Sequence, residues 1–199
     1  MPKVQSSSVF AKYPKECKFN GDRVLNIGCG FAQYPAKNVI NLDAFDNCKP
    51  NITWDLSKTP LPFKDNEFDF IIANHILEHV PNWWNVVEEC ARILKPGGKF
   101  EVWVPGPGTD SVLGYRDHIN TINECSWYGT KELSRNPDNA WAVDNFKGHA
   151  LKLSLKFCMK HLNRLWWLIH LPDFIKRFAV DHLRNVVYEV GFMFEKVEA

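Results

Sequence analysis

The sequence predicts an α/β fold built on a doubly wound, mostly parallel sheet, and three observations predict it. Short apolar runs of strand length recur between turn residues: Val24–Ile27, Val39–Leu42, Ile52–Trp54, Phe68–Ala73 and Phe100–Val104. The first is apolar and branched along most of its length, as a strand covered on both faces of a parallel sheet requires. Between the last two, Trp84, Val87, Ala91 and Leu94 fall at helical spacing, in a helix of about a dozen residues that Pro81 opens and Lys95 to Gly98 stops.

The remaining elements follow in chain order. Residues 2–20 are polar, with Val9, Phe10 and Tyr13 as anchors for an arm or a short helix. The crossovers Phe31 to Asn38 and Ala44 to Asn51 are short, leaving room for about one helical turn. Leu151 to Phe157 alternates apolar and polar, the pattern of a half-exposed strand. His161 to Arg184 reads as helical with a break at Pro172, and Val186 to Val197 as a final strand with a bulge at Gly191.

Length and composition bound the rest. A chain of 199 residues with 45% hydrophobic content supports one domain, 1–199, with a core of its own. A formal charge of +1 says nothing about partners. The six cysteines form no C-x-x-C pair, and residues 1–20 hold no secretory apolar stretch, which predicts reduced thiols and a cytoplasmic location. No apolar run approaches the length of a membrane span.

The run Arg23 to Ala32 carries the chemistry. Gly28 and Gly30 follow the first strand at once, and Asp43 ends the second, where a carboxylate is placed to grip both hydroxyls of a ribose. Strand, glycine turn, strand and acid make a nucleoside pocket. A dinucleotide is disfavoured: the third glycine of G-x-G-x-x-G is missing, and the short crossover with Pro35 in it offers no full helix to receive a pyrophosphate.

From Arg23 to Pro105 the sequence resembles the class I S-adenosylmethionine-dependent methyltransferases, of the compact type 11 kind. The matching pieces are Leu25 to Gly30, Asn41 to Asp43, Asp55-Leu56, Leu61 to Phe63 with Phe68-Asp69, His75 to His79, and Arg92 to Gly98. The departures are Asn26, where the family usually has an acid, and Ala32, often a third glycine. S-adenosylmethionine carries no phosphate, so the short crossover suits it. The resemblance implies a Rossmann-like sheet of seven strands, the last antiparallel, with 21–105 as the cofactor-binding core and 106–199 as the acceptor side. It also implies that Asn26, Gly28, Cys29 and Gly30 line the cofactor, that Asp43 and Ala44 meet the ribose, that Asp55 and Leu56 meet the adenine, and that Asn74 and His75 border the methionine moiety.

The acceptor belongs beyond the carboxyl ends of the strands, bordered by Gly106 to Tyr128. His118 is the candidate general base there, with Asp117 and Tyr115 as helpers. The implied acceptors are small metabolites and carbohydrate or lipid-linked precursors. Between Lys147 and Arg184, eight Lys/Arg stand against Asp173 and Asp181, interleaved with Trp166, Trp167, Phe174 and Phe178. These make a candidate lid or membrane-surface contact; no nucleic-acid motif accompanies them.

Other readings compete. His75, Glu78 and His79 spell H-x-x-E-H, a zinc-hydrolase pattern, but Pro81 lies where such a helix would continue, so no metal is expected. A protein that binds S-adenosylmethionine without transferring methyl is the other alternative. Cys29 is read as a small filler, Glu78 with Arg92 as a structural pair, and Trp83 and Trp84 as helix packing. Two short crossovers on one face leave apolar strands to be covered by the N-terminal arm, the Trp166 segment or a second subunit, and on this ground a homodimer is expected.

Overall fold

All residues of β1 (Val24–Ile27) are buried, and the sheet extends from it in both directions. Parallel neighbours flank it: β2 (Val39–Asp43), with Val24 opposite Val39, and β4 (Phe68–Asn74), with Val24 opposite Phe70. On the β2 side lies β3 (Ile52–Thr53), and on the β4 side β5 (Leu94–Pro105), both parallel. β7 (Glu189–Lys196) runs antiparallel to β5, and β6 (Leu151–Cys158) antiparallel to β7. The order β3-β2-β1-β4-β5-β7-β6 reverses direction between β1 and β4, the switch point of a doubly wound sheet. The computed structural model describes residues 21–127, 151–158, 171–172, 174–175, 178, 182–183 and 189–196. The N-terminal arm, Tyr128 and the Trp166–Trp167 segment lie outside them. Among the described residues no helix is long and apolar enough to cross a membrane.

Strand alternation sorts the core between two faces. Leu25, Ile27, Leu42, Ile71, Ala73, Phe100, Val102, Phe192 and Phe194 share the larger cluster. Against it packs α1 (Trp83–Ile93), burying Val86, Val87, Cys90, Ala91 and Ile93. Fully buried Trp127 joins the layers, its ring 5.0 Å from Trp83 and 4.6 Å from Phe194. The helix starts two residues after Pro81, and its last turn passes straight into β5. Leu94 already pairs with Phe68, and the register slips before Phe70 meets Lys99, so Lys95 to Gly98 bulge out of the ladder. Lys95 Nζ donates to both Asp69 oxygens at 2.7 and 2.8 Å, and Arg23 N–H donates to one of them.

On the opposite face Val24, Val39 and Ile72 are covered by Tyr34 and Ala36 of the first crossover. Neither early crossover holds an α-helix; the second has only a 3-10 turn, Asp46–Cys48. The chain thus buries these strands itself, with Val24 and Ile72 at 0% and 1% exposure. Among the described residues, Val24, Val39 and Ile72 present no bare apolar face of the kind from which the homodimer was expected.

Two other expectations are corrected. Gly191 is no bulge: β7 pairs in unbroken register on both sides. A Cβ there would lie 2.4 Å from the Trp103 ring, so the glycine makes room for that indole. Arg92 does not pair with Glu78. It forks onto Glu89, reaches Asp65, and donates to the Phe63 and Leu61 carbonyls, clamping the loop before β4 onto α1.

Candidate functional site

The site opens at the carboxyl ends of β1, β2 and β4. Gly28 turns the chain out of β1 with a φ of 63°. A Cβ there would sit 2.2 Å from Ile76 Cγ1, so both conformation and space demand glycine. The Gly30 N–H donates to Asp43 Oδ2 at 2.7 Å and the Phe45 N–H to Oδ1 at 3.0 Å. Two backbone amides therefore orient the carboxylate, and each oxygen keeps acceptor capacity for a hydroxyl.

The neighbours of this turn act differently from Asp43. Asn26 alternates away, donating to Asn41 Oδ1 and the Ala32 carbonyl; Asn41 in turn bonds Asn51 and Tyr34. This polar ladder ties the two short crossovers to β1 and β2, and Asn26 stands outside the cavity lining. Cys29 is also outside it. Its N–H donates to Leu42 O and its carbonyl accepts from Ala32, so its backbone is already used. Burial, then the negative charge of Asp43 and the neighbouring Cys48, push its thiol up to about 12, which makes it inert.

After β3, Asp55 Oδ1 accepts from the Ser57 N–H and hydroxyl, at 2.9 and 2.8 Å. These bonds hold the carboxyl below the usual range. Leu56 and Trp54 wall the same side. Phe31 and Phe45 line the cavity yet stay 83% and 71% exposed, two large apolar rings at its mouth.

β4 ends in strain. His75 has a φ of 51°, costly for a residue with a Cβ, and its N–H is held by Trp103 O at 2.9 Å. Its ring lies between two buried carboxylates: Nδ1 is 3.2 Å from Glu78 Oε1 and Nε2 is 3.1 Å from Glu189 Oε1. Burial alone would lower the imidazole pKa, but the bonds to Glu189 and Glu78 outweigh it and raise it to about 9. Asn74 stands outside the cavity lining, its Oδ1 buried without a hydrogen-bond partner among the described residues.

A 3-10 turn, Leu77–His79, follows in place of a zinc-hydrolase helix, so His75 and His79 do not share a helix face. After α2 (Asp110–Gly114), the loop at 117–120 is fastened to this turn: Ile119 and Asn120 N–H both donate to Glu78 O. That places His118 4.6 Å from His79, ring to ring. Asp117 lines the cavity, His118 stands beside the lining residue His79, and Tyr115 is 61% exposed, stacked on His118.

The cavity these residues enclose is about 710 Å³, ample for a nucleoside with an amino-acid tail. Of the residues expected at the cofactor, Gly28, Gly30, Asp43, Ala44, Asp55, Leu56 and His75 line the cavity; so do Phe31, Phe45, Trp54, Ile76 and His79, which the sequence did not assign to it. The aromatic and apolar walls have no spacing signal, because they come from four separate loops. Glu189 was beyond reach for the same reason, contributed by the last strand.

Comparison with known proteins agrees with this geometry. Residues 25–102 match the family model described as a methyltransferase domain. An uncharacterised methyltransferase of Mycobacteroides abscessus is 26% identical over 126 residues, 56% of this chain and 48% of that protein. A sterol 4-C-methyltransferase of Caenorhabditis elegans is 33% identical over 87 residues, 44% of this chain and 25% of that one. The chain thus spans about half or less of the length of these relatives. Among solved structures, an S-adenosylmethionine-dependent methyltransferase of Archaeoglobus fulgidus superposes with a TM-score of 0.58 at 15% identity, covering 94% of this chain and 90% of that one. The YcgJ protein of Bacillus subtilis gives 0.55 at 16%, covering 89% and 93%. These two likenesses show the fold. Sequence match, sheet order and the glycine–acid corner converge: residues 25–102 are similar to a methyltransferase domain of the class I fold that uses S-adenosylmethionine.

Proposed function

We propose that the protein transfers a methyl group from S-adenosylmethionine to a small-molecule or carbohydrate- or lipid-linked acceptor. The observation that carries this reading is the Asp43 carboxylate, fixed by the Gly30 and Phe45 amides at the edge of a cavity of about 710 Å³. The donor set fits the cofactor: an oriented acid for the ribose hydroxyls, Asp55 with Leu56 for the adenine, and Gly28 and Gly30 for close backbone approach. When bound, the cofactor supplies a methyl already activated on a sulfonium. The chain has only to position the acceptor, keep water out and accept or release one proton.

His75 is assigned to the methionine end of the cofactor, and His79 and Asp117, which also line the cavity, to the acceptor side. His118 acts there through its contact with His79, and Tyr115 supports its ring from the solvent side. Calorimetry with S-adenosylmethionine and S-adenosylhomocysteine, followed by a scan for S-adenosylhomocysteine release over candidate acceptors, tests the reading. Binding with release on one acceptor class is expected. Binding with no release over the whole scan would mark a cofactor-binding protein instead, and no binding at millimolar cofactor would reject the assignment.

A further inference from the structure

At the acceptor end a carboxylate oxygen of Glu78, a ring nitrogen of His79 and a ring nitrogen of His118 lie within 4.8 Å of one another. Ligand atoms about 2.1 Å from a zinc ion stand roughly 3.4 Å apart, so small side-chain rotations close this set on an ion. We propose that Glu78, His79 and His118 bind a divalent transition-metal ion of the zinc type, at the edge of the cavity.

Three observations support a built site. Glu78 is 1% exposed, and its Oε2 is buried with no hydrogen-bond partner among the described residues. A buried carboxylate oxygen left without a donor is costly, and a cation satisfies it. Its other oxygen is held by His75 Nδ1, which fixes how the carboxylate is presented. His79 Nδ1 is 3.0 Å from the Asp117 carbonyl, which can only accept. Nδ1 therefore carries the hydrogen, and Nε2 keeps its lone pair, the tautomer of a ligating histidine. Finally, the two segments are locked together: Asn120 Nδ2 donates to Leu77 O and Val80 O, beside the two amides already on Glu78 O. The segment that carries His118 is thus held by Ile119 and Asn120 onto the main chain of the Leu77–Val80 turn.

Two imidazoles and one carboxylate suit zinc, manganese or cobalt, and leave positions open for an exogenous oxygen. His79 and Asp117 line the cavity, so that oxygen would be the acceptor's. A bound ion would acidify a coordinated hydroxyl, whose proton would pass to water while the oxygen kept its electron pair, which makes hydroxylated acceptors the expected class. This last step rests on the methyl-transfer reading; metal binding does not.

The test is titration of the chelator-stripped full chain with Co2+, read by its visible absorption. One equivalent with no thiolate charge-transfer band, displaced by Zn2+, is expected. His118→Ala and Glu78→Gln should each weaken Co2+ binding by at least the roughly 10–100-fold that loss of an outer-sphere partner alone costs. Circular dichroism and S-adenosylmethionine affinity should stay unchanged in His118→Ala, which keeps the test valid if Glu78→Gln misfolds. A Cys29→Ser, Cys48→Ser double variant should retain the ion, since those thiols form the other candidate cluster, with Asp43. No stoichiometric uptake, uptake undiminished in His118→Ala, or uptake lost with the two cysteines would overturn the site. Cobalt binding in a protein that fails to bind S-adenosylmethionine would uphold the metal and overturn its acceptor role.

Discussion

At the scale of single residues, Asp43 and Gly28 divide the work between charge and space. Asp43 accepts from two amides and is left with lone pairs, which the proposed function gives to the ribose hydroxyls. A hydrogen bond to a charged group contributes about 1.5–3 kcal/mol, so Asp43→Asn should weaken S-adenosylmethionine roughly tenfold to a hundredfold by calorimetry. An unchanged dissociation constant would remove Asp43 from the ribose. Gly28 fails differently when changed. Gly28→Ala meets both a φ of 63° and Ile76 Cγ1 at 2.2 Å, and should lower unfolding stability by about 1–3 kcal/mol in urea. Adding Ile76→Ala removes the Cγ1 and Cδ1 contacts but keeps Cβ at 2.5 Å, so it relieves only part of the collision and none of the backbone cost; the double variant should still lose less than the two single losses summed. Both residues were legible because strand, glycine turn and acid are close in the chain. Asn26 and Cys29 sit in the same motif but do not line the cavity. Strand alternation turns Asn26 to the far face, and the tight turn uses up the Cys29 backbone.

At the scale of elements, the β4–α1–β5 unit shows what periodicity reveals and what it hides. Apolar spacing located α1, and a proline with two glycines located its end. It could not show that Leu94 pairs with Phe68 before the Lys95–Gly98 bulge, because register belongs to the partner strand. Nor could it show that Arg92 turns to Glu89 and Asp65, or that Gly191 accommodates Trp103 from the neighbouring strand. The bulge is pinned by Lys95 on Asp69, whose carboxyl the Lys95 ammonium holds below its usual range. A depressed carboxylate contributes stability above its unfolded pKa of about 4 and loses it as pH falls through the lower folded value. Both groups are partly exposed, so the pair contributes under about 1 kcal/mol. Lys95→Met should therefore be less stable than the parent by that amount at pH 7 in urea titrations. The difference should shrink below about pH 4 as Asp69 protonates in both proteins; a difference constant with pH would mean that lost packing, not charge, is being read.

For the whole molecule, the doubly wound order decides which distant residues meet. β1, β2 and β4 bring the glycine turn, Asp43 and His75 to one end of the sheet, and β7 delivers Glu189 to the same place across the sequence. Nothing in the sequence near Glu189 announces that role, because the contact depends on β7 entering antiparallel beside β5. The early strands were readable for the opposite reason: their loops are short, so neighbours in sequence stay neighbours in space. A site assembled from the first and last strands ties cofactor binding to the folding of the entire domain. We therefore propose that 1–199 unfolds as one unit and that S-adenosylmethionine shifts its single transition. Cofactor at a hundredfold its dissociation constant adds about 2.7 kcal/mol, or roughly 5–10 °C for a chain of this size. Asp43→Asn at the same cofactor concentration should shift by only a few degrees or less, and ATP should give no shift. Calorimetric scans decide it: a second transition untouched by the cofactor would mean that part of 106–199 folds on its own and that β7 does not complete the site.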